Sequence, residues 1–396
     1  MVLRSHALVV VILLGSLLAG CTSAPTVVAP AKPCECALGS PTTPTAAKPT
    51  ATQLVRADWD ALPGWRDDDL QPAFAALEKS CKALAREARW AGICQTMPWK
   101  RLTGNDLRAW AEANLEPHQV VNGDGTVLGL VTGYYEPVLR ASRVRRGTFQ
   151  TPLYGAPDDL VTIDLGDLYP ELKGQRVRGR VEGKRVVPYA SREEMAAGKA
   201  KLAGKALFYV EDPIEAFFLE VQGSGRLTLD DGSAARVNYA DQNGHPYRSI
   251  GRWLVDKGEM KLEQASMQTI KEWAQKNPAR LNELLAANPS VVFFREIRIT
   301  PETANDGPMG ALGVPLTEGR SLAVDRSAVP LGVPVFLSTT YPLSNRPLNR
   351  LMVAQDVGGA IRGGVRGDFY WGSGVAAGTE AGRMRQQGQM WVLLPR

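Results

Sequence analysis

The chain has 396 residues, 44% apolar and 22% charged, which excludes wholesale disorder and a polytopic membrane protein and is enough for two domains. The formal charge of +5 falls to +4 without residues 1–20, which hold Arg4 and no acid, and opposite charges are interspersed along the rest, so no nucleic-acid partner is expected. Thirty-nine glycines and 27 prolines suit short strands and tight turns, so the expected class is mainly β with helices.

The first element is a basic Arg4 followed by an apolar run from Ala7 to Leu18. A bilayer span takes about 20 residues, so this run reads as a secretory signal over residues 1–20. It ends in Leu18-Ala19-Gly20-Cys21, which resembles a bacterial lipobox, with Cys21 as the lipidated first residue of the mature chain. A simple cleaved signal with Cys21 uninvolved is the alternative. Thr22 rather than Asp follows the cysteine, which by analogy with lipoprotein sorting implies the outer membrane, periplasmic face.

Residues 21–53 are rich in Ala, Pro and Thr and poor in large apolar side chains, so they read as a tether. At about 3.1 Å per residue it reaches at most about 90 Å. An exported body on such a leash is expected to act on something held near the membrane, and the cell wall qualifies. In that oxidising compartment Cys81 and Cys94 can close a disulfide, stabilising by about 3 kcal/mol. Cys34 and Cys36 are too close for a relaxed mutual bridge, a weak metal pair is equally open, and no role is assigned to them.

The body opens with helices. Phe74, Leu77, Cys81 and Leu84 recur at helical spacing, and Thr103 with Asp106 reads as a cap before Leu107 and Trp110. Short β-like runs follow at Val127–Thr132, Leu207–Val210, Ala216–Val221, Val291–Ile299, Val333–Leu337, Leu351–Gln355 and Met390–Leu394. A second helical interlude covers Ser249 to Ala287, with Gly258 as a C-cap and Asn277-Pro278 starting a fresh helix. Residues 140–240 show no long helix and read as a β domain inserted into a first domain formed by 54–139 and 241–396.

Histidine is scarce: His118 and His245 serve the whole mature chain, which argues against a zinc site and a Ser-His-Asp triad. No Gly-Lys-Ser/Thr phosphate loop occurs, and Gly223-Ser224-Gly225 lacks the third glycine of a dinucleotide fingerprint. Carboxylates remain. An apolar run delivers Asp356 to its end, where Gly358 and Gly359 let the backbone turn and approach a ligand without Cβ interference. Apolar Val357, Ala360 and Ile361 can desolvate that carboxyl, as a general acid requires. Asp-x-Gly-Gly on its own is also a common turn former. Asp368 leads into Phe369-Tyr370-Trp371-Gly372, and aromatic rings beside acids suit sugar binding as well as core packing.

Asp325 in Ser321-Leu-Ala-Val-Asp325-Arg326-Ser327, Asp356 in Gln-Asp-Val-Gly-Gly-Ala-Ile-Arg-Gly, and Asp368 before its aromatic strand resemble the three-aspartate 3D domain. Upstream, Thr132-Gly133-Tyr134-Tyr135-Glu136-Pro137, Tyr189-Ala190-Ser191-Arg192, Phe217 through Gly225 and Asn243 through Gly251 resemble the membrane-bound lytic murein transglycosylase A family. The resemblance covers about Leu128 to the C-terminus. It implies a double-psi β-barrel domain, a smaller inserted β domain, and a glycan strand lying in the groove between them. It also implies non-hydrolytic cleavage of the β-1,4 bond from N-acetylmuramic acid to N-acetylglucosamine, leaving a 1,6-anhydro end, with neither metal nor organic cofactor. On this resemblance Asp356 is the catalytic acid, and Asp325 and Asp368 are supports. Tyr134, Tyr135, Gln222 and Ser224 line the groove, with Tyr370 or Trp371 as stacking faces, while Glu136 and Glu220 are structural or contact substrate. A true glycoside hydrolase and a non-catalytic wall-binding lipoprotein are the rival readings.

Overall fold

A computed structural model describes residues 51–172 and 177–396. The signal, Cys21, Cys34, Cys36 and nearly all of the tether lie outside the described residues. Gln53, assigned above to the tether, already begins a strand, Gln53–Arg56, paired with Leu115–Val121.

Six strands close into a ring. Going round it, Gly129–Glu136 pairs with Arg385–Pro395, then come Pro334–Thr340, Pro347–Asp356, Ser321–Val324 and Arg366–Ser373, which pairs back with Gly129–Glu136. Closure satisfies the edges that an open sheet would expose. One large core joins strand residues such as Val131, Leu322, Phe336, Met352, Phe369 and Trp391 to helix residues Phe74, Leu77, Leu84, Leu107 and Ala111. The helices are Gln71–Leu84, Ala88–Thr96 and Gly104–Asn114, the first two stapled by the Cys81–Cys94 disulfide. Asp68 and Arg320 form a bidentate ion pair at 2.8 and 2.9 Å within this core, and Asp68 also accepts the Leu351 N–H at 2.7 Å.

The chain leaves the ring after Glu136 and builds a second sheet in the order Val292–Ile297, Ala234–Gln242, Ser224–Leu229, Val138–Ser142, Ala206–Val210 and Thr151–Tyr154. The insert therefore extends to about residue 297, well past the boundary at 240 drawn from sequence, because Val292–Ile297 pairs with Ala234–Gln242 and not with the ring.

The run Ala216–Val221, expected as a strand, lies inside a helix, Pro213–Gln222. Asp212 caps it by accepting the Ile214 N–H, Pro213 opens it, and Gly223 ends it at φ +79°. The misreading has a physical cause. Ala216 and Leu219 face the insert sheet, while Ile214, Phe217 and Phe218 pack on the helices Ile250–Asp256, Met267–Lys276 and Leu281–Ala286. A helix buried on two faces shows no polar stripe, so its 3.6-residue period is hidden.

Candidate active site

The pairing registers set two acids in one row. Ala323 is aligned with Asp356 on one neighbouring strand and with Asp368 on the other, and Asp368 is aligned with Thr132 on the strand beyond. At about 4.8 Å per strand, the Asp356 and Asp368 backbones lie about 10 Å apart across Ala323. Ala323, the residue between them, is small and buried. Two residue-pairs further along, on the same face, Tyr134 opposes Tyr370, their rings 5.2 Å apart, and with Leu316 and Ala323 they make a small apolar cluster beside the acids.

Asp356 is the last residue of its strand and is half-buried. Its Oδ1 accepts the Ala311 N–H at 2.9 Å. Tyr134 is buried close by. Burial first, then the charges of Asp356 and Asp368, push its hydroxyl well above the usual phenol range. That hydroxyl meets no partner in strict hydrogen-bond geometry among the described residues, but it lies near enough to Asp356 for their interaction to be felt.

Asp368 accepts the Thr132 hydroxyl at 2.6 Å. Burial raises its pKa to about 6; the Thr132 hydrogen bond and Arg366 oppose the rise, and the charge of Asp356 adds to it. The two acids are thus electrostatically coupled, and a coupled pair retains a proton more readily than either acid alone.

Asp325 has a different employment. Its Oδ1 accepts the Ser327 N–H at 3.0 Å and the Ser327 hydroxyl at 2.7 Å, and its Oδ2 accepts the Gly363 N–H at 2.9 Å. Burial works to raise its pKa, but these hydrogen bonds and the charge of Arg362 outweigh it and hold Asp325 below the usual range. Asp325 pins the glycine-rich segment after Asp356 to the turn after its own strand.

The other candidates are mostly scaffold. Tyr370 is 1% exposed, so its ring face is closed to a sugar. Trp371 lies against Phe369 at 4.7 Å and Tyr341 at 6.1 Å, with its indole N–H on the Met384 sulfur. Alternate residues of this strand point to opposite sides, so Tyr370 lies on the side of the acidic cluster and Trp371 on the side of the core. Tyr135 is buried against Ala377 and Ala381. Gln222 accepts the Tyr135 N–H at 3.0 Å, tying the insert helix to the ring. Ser224 is buried in the insert sheet, opposite Asn238. Glu220 holds Arg192 bidentately at 3.0 and 2.8 Å and accepts the Val292 N–H. Glu136 is fully buried between Arg226 and Arg236, each Nε 2.8 Å from a carboxylate oxygen. The Arg236 contact is a close ion pair whose N–H does not point at the oxygen.

A cleft of about 610 Å³ is lined by Ser191, Arg248, Trp253 and their neighbours in the insert and includes none of the three aspartates. Sequence reasoning missed Ala311 and the arginine pair Arg226 and Arg236. The available signal was Gly310, where a Cβ would sit 2.5 Å from the Gln355 carbonyl oxygen, but a lone glycine in a loop does not reveal its neighbour.

Fold and site together define an aspartate-bearing six-stranded barrel with a large sheet inserted after one of its strands. Two family profiles match: the MltA specific insert domain over residues 130–295 and the 3D domain over residues 320–394. Membrane-bound lytic murein transglycosylase A of Escherichia coli K12 is 37% identical over 303 residues, covering 74% of this chain and 73% of that protein. Among solved structures, MltA from Neisseria gonorrhoeae is 38% identical with a TM-score of 0.74, covering 87% of this chain and 93% of that one. Escherichia coli MltA with bound chitohexaose is 30% identical, TM-score 0.65, covering 88% and 95%. A lytic transglycosylase, LtgG, of Burkholderia pseudomallei is 48% identical, TM-score 0.59, covering 87% and 98%. The chain belongs to the membrane-bound lytic murein transglycosylase A family.

Proposed function

We propose that this protein is a lytic transglycosylase of peptidoglycan, with Asp356 as its single acid and base. The chain cleaves the β-1,4 bond between N-acetylmuramic acid and N-acetylglucosamine. In the proposed course, the Asp356 carboxyl gives its proton to the glycosidic oxygen as the C1–O bond breaks. The carboxylate so formed takes the proton of the muramic C6 hydroxyl while that oxygen closes on C1, leaving a 1,6-anhydro end. Ordinary glycosidases place a second acid about 5–9.5 Å away to attack C1 or activate water, and an internal nucleophile makes that group unnecessary.

The observation that carries this reading is the division of labour among the aspartates. Asp325 is fixed to Ser327 and Gly363, Asp368 is held by Thr132, and Asp356 closes its strand half-buried, held by the Ala311 N–H and close to Tyr134. Asp368 supports the acid by presenting a like charge that favours retention of a proton on the pair. The ring is read as a double-psi barrel, with the glycan strand running between ring and insert; the chitohexaose held by the Escherichia coli relative supports a saccharide ligand. Lipidation at Cys21 and the periplasmic face of the outer membrane complete the proposal. The relatives' description as membrane-bound supports an anchor, and no helix among the described residues is long and apolar enough to cross a membrane.

Mass spectrometry of digested cell-wall glycan tests the reading. Wild type is expected to release anhydro-muramic ends and Asp356→Asn to lose about 10²–10⁴-fold in turnover while still binding glycan. Reducing ends would make the enzyme a hydrolase, and wild-type rates from Asp356→Asn would remove Asp356 from catalysis.

A further inference from the structure

The N–H that reaches Asp356 belongs to a loop whose position is set from the other lobe. Residues 300–316 connect the insert to the ring, and four side chains of the insert sheet and ring fix them. Arg226 donates to the carbonyls of Ala304 at 2.8 Å and Asp306 at 2.7 Å. Arg236 donates to Asp306 at 2.5 Å and Gly307 at 3.3 Å, and Asn238 to Met309 at 2.8 Å. Glu136, on the ring strand that also carries Thr132 and Tyr134, neutralises both arginines and accepts the Ser373 hydroxyl at 2.8 Å. Beyond Met309 the loop is pressed onto the strand of the acid. Leu312 N–H meets the Gln355 carbonyl at 3.1 Å, and Gly310 sits where a Cβ would clash with it. Ala311, between them, delivers its N–H to Asp356.

We propose that Arg226, Arg236 and Asn238 of the insert, with Glu136, are positioning residues that hold the 300–316 loop so that the Ala311 N–H stays on the Asp356 carboxylate. The insert then organises the acid as well as any saccharide it touches. The geometry suits the second half of the reaction: a fixed N–H favours the carboxylate at the moment it must form, and it requires no reorganisation. A hydrogen bond to a charged group is commonly worth about tenfold to a hundredfold in an equilibrium or rate. This inference rests on the reading of Asp356 as the catalytic group.

Ala311→Pro removes the donor at an exposed side-chain position, and Ala311→Ser keeps it. Asn238→Ala frees the loop at one remove. Turnover of purified glycan strands, KM, thermal midpoint and the pH dependence of kcat are measured on the full-length protein. The groups facing Asp356 in that profile are the Tyr134 hydroxyl, the Asp368 carboxylate with its neighbour Arg366, and the Ala311 N–H. Ala311→Pro is expected to lower kcat at least about tenfold, with KM changed less than about twofold. Without the donor the carboxyl holds its proton more firmly, so the alkaline limb moves up by about one pH unit. Asn238→Ala is expected to move kcat and the limb in the same directions by less, and Ala311→Ser to stay close to the wild-type limb. A folded Ala311→Pro with wild-type kcat and limb overturns the proposal. If Ala311→Pro fails to fold, Asn238→Ala decides: a changed thermal midpoint with kcat and limb unmoved also overturns it. Asp356→Asn runs alongside, because wild-type turnover there defeats the catalytic reading itself, whereas an inactive Asp356→Asn with an unaffected Ala311→Pro defeats the loop proposal alone.

Discussion

Replacing Asp368 with Asn is expected to make the protein more stable at neutral pH while impairing it. Burial raises the folded-state pKa of Asp368 to about 6, against an ordinary 3.8. The folded protein therefore holds that proton more tightly than the unfolded chain does. Stability is full below about pH 4 and falls as pH rises through about 6, after which it is level. A shift of about two units at about 1.4 kcal/mol each gives an upper figure of about 3 kcal/mol at neutral pH. Asn carries no charge to desolvate, and its side-chain oxygen can still accept the Thr132 hydroxyl, now 2.6 Å from Asp368 Oδ1. Urea unfolding of both proteins is the assay. The Asn variant should match wild type at about pH 3.5 and exceed it by about 2–3 kcal/mol at about pH 7.5, with an unchanged denaturant slope. A gap that does not grow with pH, or a variant less stable at neutral pH, would refute the argument that the buried charge is a cost of the site.

The same substitution removes the like charge beside Asp356, so the alkaline limb of kcat is expected to move down by about one pH unit, opposite to the Ala311→Pro shift; a pH–rate profile reads it. Arg320→Ala leaves Asp68 buried and unpaired at its guanidinium side, and calorimetry should show a loss of about 3–5 kcal/mol. Reduction of the Cys81–Cys94 bridge, or Cys81→Ser, is expected to lower stability by about 3 kcal/mol in denaturant titration, because the closed loop no longer restrains the unfolded chain. Ala323→Leu places a branched side chain between the two acids, and a drop in turnover larger than the accompanying loss of about 1–3 kcal/mol in stability would mark the row as functional space.

What could be seen in the sequence followed from local chemistry. The apolar run ending at Asp356 and its two glycines announced a strand delivering a carboxyl to a turn, and the spacing of Phe74, Leu77 and Leu84 announced a helix face. These patterns repeat within a few residues, so one chain suffices to display them. Ala216–Val221 defeated that reading because burial on both faces erased the period.

The acidic row was settled elsewhere. Asp356, Ala323, Asp368 and Thr132 are brought side by side by the register of four strands, and registers depend on pairings between distant segments, 236 positions apart for Thr132 and Asp368. Which aromatic ring faces the acids and which fills the core follows from the same pleat: Tyr370 beside Tyr134, Phe369 and Trp371 toward the core. Beyond the neighbouring Gly310 the Ala311 N–H had no signature of its own, since a backbone donor is present at every residue except proline and acquires a partner only when the chain closes around it. The sequence by itself determined the groups available for chemistry, and tertiary pairing decided which of them meet, because a side chain's identity is local whereas its neighbours are chosen by long-range closure.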